Sequence, residues 1–116
     1  MIKREYFFLF IFYSCIVVIE YLATTSLEIT PIQNSWDKAN HFIAFFTLYI
    51  LLSFAHLSMS LQSKIYVLLA FAIQIEIVQA FLPHREFSFL DVFADAVGIV
   101  LGILFMKIIE KFIVKE

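Results

Sequence analysis

The residues of this chain with chemistry to offer are few, and they recur at helical spacing. Asp37 and His41 are four positions apart, as are Asp91 and Asp95, while Glu76 and Gln79 are three apart. Residues three or four apart share one face of a helix, so each pair projects in a common direction. Asp37, His41, Glu76 and Asp91 are the candidate catalytic groups: a carboxylate or imidazole there can serve as a general base, or the set can hold a divalent cation. Lys38, Gln79, Arg85 and Asp95 are the candidate ligand-binding groups, the two cations being suited to a phosphate or to developing negative charge. No motif of the H-E-x-x-H kind occurs, so neither a particular metal nor a cofactor can be assigned from spacing.

Each of these residues has a plainer reading. Asn34-x-x-Asp37 and Ser88-x-x-Asp91 have the form of helix caps, with an acid in the first turn where the helix dipole favours it. Lys38 and Arg85 can snorkel or meet lipid phosphates. Glu20 fits the headgroup level, His56 an interface, and His84 a solvated loop. Gln74 points away from Glu76, toward packing or an oligomer contact. Glu76 is harder to dismiss, because it has no capping role and lies within an apolar stretch. It requires a proton or a cation such as Arg85, Lys38 or a protonated His41. A structural ion pair tying the helices together is the alternative to a ligand or catalytic site.

The elements that position these groups follow from the apolar runs. Of 116 residues, 63% are hydrophobic, and Gly and Pro number two each. One domain over residues 1–116 is the limit at this length, and no soluble core of this size hides so much apolar surface. Four runs, at about 6–23, 40–57, 65–82 and 87–106, are each long enough to cross a ~30 Å hydrocarbon core as helix. Backbone hydrogen bonding in lipid requires helix for spans of this kind. The expectation is therefore an all-α, integral membrane four-helix bundle with consecutive helices antiparallel, since the second and third links are short. Lys3, Arg4, Lys64, Lys107, Lys111 and Lys115 fall on one side, and only Lys38 and Arg85 on the other. That bias places both termini in the cytoplasm of a multi-pass membrane protein. The first run competes with a signal-peptide reading, but it is long for one and Glu20 would crowd the cleavage site. The single cysteine, Cys15, cannot form an internal disulfide or a cysteine-based zinc site.

The polar residues gather in the halves of the runs that this topology turns outward. Phe7–Phe12, Ile65–Ile73 and Ile99–Met106 hold only apolar residues, one glycine and one tyrosine. A transport path needs polar groups through the whole depth, so the pattern favours a pocket opening outward and disfavours an ion or proton transporter. A net charge of −2 without a basic stripe argues against nucleic acid as partner. Gly98-x-x-x-Gly102 continues the Asp91/Asp95 stripe and allows close approach of another helix, including one from a second copy.

Three segments carry a family resemblance: Asp37-Lys38-x-x-His41-Phe42, Glu76-x-x-Gln79-x-Phe81-x-Pro83-x-Arg85, and Ser88-x-x-Asp91 continuing to Gly98-x-x-x-Gly102. In this order, across residues 37 to 102, they make the chain resemble the VanZ-like family of bacterial membrane proteins. The resemblance implies a place in the cytoplasmic membrane and a link to the cell envelope. Its name-giving relative is associated with resistance to the glycopeptide teicoplanin. Asp95 departs from the family pattern, where Asn is expected, and adds a negative charge to the site. The implied partners are the lipid bilayer and a lipid headgroup, envelope glycolipid or peptide. One reading is a binding or envelope-modulating protein, and the other a membrane-embedded enzyme on a lipid-linked envelope substrate. The topology is checked in a Cys15→Ser background: a thiol introduced as Asn34→Cys should label from outside intact cells. Labelling only after permeabilisation overturns the orientation.

Overall fold

A computed structural model describes residues 2–24, 37–56, 58–82 and 89–113. They form four helices: α1 (Ile2–Thr24), α2 (Asp37–Ala55), α3 (Leu61–Ala80) and α4 (Phe89–Ile113). The described residues contain no strand. Three helices are long and apolar enough to cross a membrane, over Tyr6–Thr24, Leu61–Ala80 and Phe89–Phe112. The apolar stretch of α2, Ala39–Ala55, is shorter, because the helix opens on the charged Asp37 and Lys38.

Helix boundaries differ from the apolar runs for local reasons. α4 continues to Ile113, seven residues past the expected end, because Lys107, Glu110 and Lys111 leave the lipid-compatible stretch without breaking the helix. α3 begins early, at Leu61, where the Ser60 side chain accepts a hydrogen bond from the Ser63 amide at 3.1 Å. It ends at Ala80, and the next two amides turn back, Phe81 to the Val78 carbonyl and Leu82 to that of Gln79, both at 3.0 Å.

Side-chain contacts fix the directions. Phe8 stacks on Phe54 with centroids 5.1 Å apart, and Tyr13 shares a 3.1 Å hydrogen bond with His56, so the start of α1 lies beside the end of α2. His56 thus has a partner within the bundle. The Lys64 ammonium donates to Ser53 Oγ at 3.1 Å and lies over the Tyr49 ring, which joins the start of α3 to the end of α2. His41 meets Asp95 near the start of both helices and Tyr49 meets Gly102 further along both, so α2 runs parallel to α4. Consecutive helices are therefore antiparallel, as expected, and the most extensively packed pair is the parallel one, α2 with α4.

The core runs along α2. Phe45, Leu48, Tyr49 and Leu52 are buried against Phe12 of α1, Leu68, Ala72 and Ile75 of α3, and Ile99 and Met106 of α4. The outer surface is as apolar as the inside: Phe10, Phe81, Phe89 and Phe112 are each more than 70% exposed. Such a surface is stable only against lipid, and the protein is a membrane protein. Lipid is as apolar as the core, so association of the helices rests on close packing more than on removal of surface from water.

The two glycines of α4 sit where α2 approaches closely. A Cβ on Gly98 would lie 2.3 Å from the Phe42 carbonyl oxygen, and one on Gly102 would lie 3.0 Å from the Tyr49 side chain. The helix that exploits this small-residue seam is α2 of the same chain. Phe42 and Tyr49 of α2 thus occupy the space beside Gly98 and Gly102. Gly98→Ala should force α2 and α4 apart and cost roughly 1–3 kcal/mol. Gly102→Ala should cost less, because a side chain can yield where a backbone carbonyl cannot. Thermal melts of both variants in detergent check the order.

Candidate functional site

The polar residues converge at one end of the bundle, where α1 and α3 end and α2 and α4 begin. On α2, His41 follows the polar first turn and directs its ring toward α4. On α4, Asp91 falls in the first turn and Asp95 one turn later. On α3, Glu76 and Gln79 lie in the last turns, on the face turned inward. Glu76 is fully buried, and Asp91, Asp95 and Gln79 are nearly so, with exposures of 6%, 1% and 4%. His41 is the most accessible of the ionisable members, its side chain 14% exposed.

Geometry assigns His41 two carboxylate neighbours. Its Nδ1 lies 2.8 Å from Asp95 Oδ1, the distance of a charge-assisted hydrogen bond. With Asp95 ionised, its carboxylate only accepts, and Nδ1 is then the donor. The ring is thereby held with Nε2 toward Asp91, whose Oδ2 is 3.6 Å away. Glu76 completes the group: one ligand atom from each of His41, Glu76 and Asp91 lies within 4.8 Å of the others. An oriented imidazole beside two carboxylates can take up and release a proton, or coordinate a cation.

Asp95 has a larger part here than its spacing alone suggested. Expected as a ligand-binding group, it meets His41 Nδ1 directly, at 2.8 Å. The signal was the four-residue spacing from Asp91, which put both acids on one stripe without saying which of them the imidazole would meet. Gln79 is placed differently from the expectation. Its side-chain amide donates to the Ala23 carbonyl at 2.6 Å, and that carbonyl lies in the last turn of α1, where no following amide of the helix can serve it. Gln79 thus ties α3 to α1. The Gln74 side-chain amide donates to a Glu20 carboxylate oxygen at 2.9 Å, a second and exposed tie between these helices.

Asp37 and Lys38 begin α2, with side chains outside the described residues, and Arg85, His84, Ser88 and Asn34 lie outside them altogether. Two open grooves run along α1, one lined by Leu9, Phe10, Tyr13 and Val17 and the other by Cys15, Ile19, Ala44 and Leu48. Both are apolar and distinct from the cluster, and Cys15 is part of that lipid-compatible wall.

A helical membrane bundle that buries an imidazole and three carboxylates at one end is a membrane protein with a polar site in its interior. The VanZ/LLP1 family model matches residues 3–110. The chain belongs to that family. Neither the curated proteins nor the solved structures gave a match.

The His41–Asp95 bond generates a test. Asp95→Asn, which restores the residue expected from the family pattern, keeps an acceptor for Nδ1–H but removes the charge. It should retain the fold at a cost of about 1 kcal/mol. Asp95→Leu removes the acceptor and should cost about 1.5–3 kcal/mol. Thermal unfolding in detergent separates the two, and equal losses would show that the bond does not orient the ring.

Proposed function

We propose that this protein is a multi-pass component of the bacterial cytoplasmic membrane that engages a polar group of the cell envelope at the outer leaflet through His41, Glu76, Asp91 and Asp95. One observation carries the reading: three buried carboxylates and a part-buried imidazole from three helices meet at one end of a bundle that exposes many large apolar side chains. Ionisable groups at membrane depth are costly and mark function by default. The bias of Lys and Arg supports placing that end outward, with Lys38 and Arg85 on the same side as the cluster in sequence. The ligand would be a lipid headgroup, glycolipid or peptide of the envelope. Family membership favours tolerance of glycopeptides such as teicoplanin as the form in which this activity is seen.

A second reading, an enzyme acting on a lipid-linked envelope substrate, is favoured by the His41–Asp95 pair. A carboxylate that fixes the imidazole leaves Nε2 as a proton acceptor facing the cluster, the arrangement a general base requires. Glu76 or Asp91 would then hold the substrate or steady the imidazolium.

Both readings expect Glu76→Gln and Asp91→Asn to insert and fold while failing to complement a deletion strain for susceptibility to teicoplanin and other envelope-active compounds. A purely structural network would instead show lost expression or lowered thermal stability in the same variants. Stable variants that complement fully would sink both functional readings.

A further inference from the structure

The geometry points to a divalent-cation site in this cluster, with His41 Nε2, one oxygen of Glu76 and one oxygen of Asp91 as ligands and a zinc- or manganese-type ion as occupant. The proposal builds on the reading of the cluster as the working site and names what that site holds.

The donor set is mixed, one imidazole nitrogen and two carboxylates from three different helices, and its ligand atoms already lie within 4.8 Å of one another. Ligand bonds to zinc of about 2.0–2.2 Å put neighbouring donors roughly 3–3.5 Å apart. The 3.6 Å between His41 Nε2 and Asp91 Oδ2 is close to that separation. It is also long for a direct charge-assisted hydrogen bond, which falls at about 2.7–2.9 Å. The pair is therefore spaced better for an ion between its atoms than for a proton.

Asp95 supplies what such a site needs behind its ligand. A metal-bound histidine characteristically donates its other ring N–H to a carboxylate, which fixes the tautomer and makes the ligating nitrogen more basic. The 2.8 Å contact from Nδ1 to Asp95 is that arrangement. Charge agrees as well. Two ionised carboxylates this close repel strongly in a low-dielectric interior, and a doubly positive ion between them reverses the sign of the interaction. Three protein ligands leave a coordination position open, as in sites where a metal binds a substrate oxygen or a water. A phosphate or carboxylate of an envelope component is a group such an ion would take. Imidazole with carboxylate suits zinc or manganese better than calcium, which favours oxygen-only sites.

The test uses the untagged full chain purified in detergent, stripped with a chelator, and then titrated with zinc or manganese chloride. The expected result is one ion per chain by elemental analysis after desalting, together with a rise in melting temperature on metal addition. His41→Ala and the double variant Glu76→Gln/Asp91→Asn should lose both. Asp95→Asn should keep the stoichiometry but weaken binding about 10–100-fold. Should the ligand variants fail to fold, cobalt(II) added to the wild type provides a second measurement. Visible absorption bands of a low-symmetry site, displaced by zinc, support the proposal, and a spectrum of hexa-aqua cobalt overturns it. Wild-type protein that retains no ion and shows no thermal shift also overturns it. If that occurs while Glu76→Gln still fails to complement, the ion is refuted and the functional reading stands. A bound ion together with unchanged complementation by stable ligand variants supports the site and refutes the envelope function.

Discussion

The contact on which the rest depends is the approach of α4 to α2 at Gly98, where no side-chain carbon fits before the Phe42 carbonyl. Phe42 immediately follows His41, and Gly98 lies three residues after Asp95. The same close packing that brings the two backbones together therefore sets the imidazole against the acidic stripe of α4. Any separation of these helices would lengthen the 2.8 Å bond to Asp95 before it disturbed the apolar part of the bundle. Below this point the seam continues through Gly102 and Tyr49, so one line of small residues carries both helix association and site geometry. In lipid, where apolar side chains gain little from leaving their surroundings, such packing is the available source of specificity.

The second constraint is the cost of polar groups at membrane depth. The bundle meets it differently at its two ends. At one end Lys64 folds its ammonium onto buried Ser53 and over the Tyr49 ring, and His56 pairs with Tyr13. At the other, amides and acids are arranged in two tiers. Gln79 and Gln74 bind the Ala23 carbonyl and Glu20, and so hold α1 to α3. Inside them, His41 and three acids face one another. The outer tier is explained by the need of each polar group for a partner. The inner tier gathers four ionisable groups from three helices at one end of the bundle, and the proposed function rests on that concentration.

Much of this was legible from residue order. Helical spacing put Asp91 and Asp95 on one stripe, separated Gln74 from Glu76, and marked the G-x-x-x-G seam. The apolar runs located all four helices, although they measured the lipid-compatible length rather than the helix, so α4 runs on through its charged end. Less legible were the pairings. Gln79 has the spacing of a site residue and also ties α3 to α1, and the spacing gave no sign that Gln74 would donate to Glu20.

Taken alone, the sequence determined that the chain is helical, lives in lipid, and gathers its polar residues toward one end of its helices. These are properties of composition and of periodicity along a single helix. The tertiary structure decided which residues meet: Asp95 with His41, Gln79 with the end of α1, and Glu76 with the imidazole and Asp91. Periodicity gives the direction of a side chain relative to its own axis, but it leaves open how far one helix is rotated or slid against another. That relation is set where the Phe42 carbonyl enters the space left by Gly98, a contact between positions 56 residues apart.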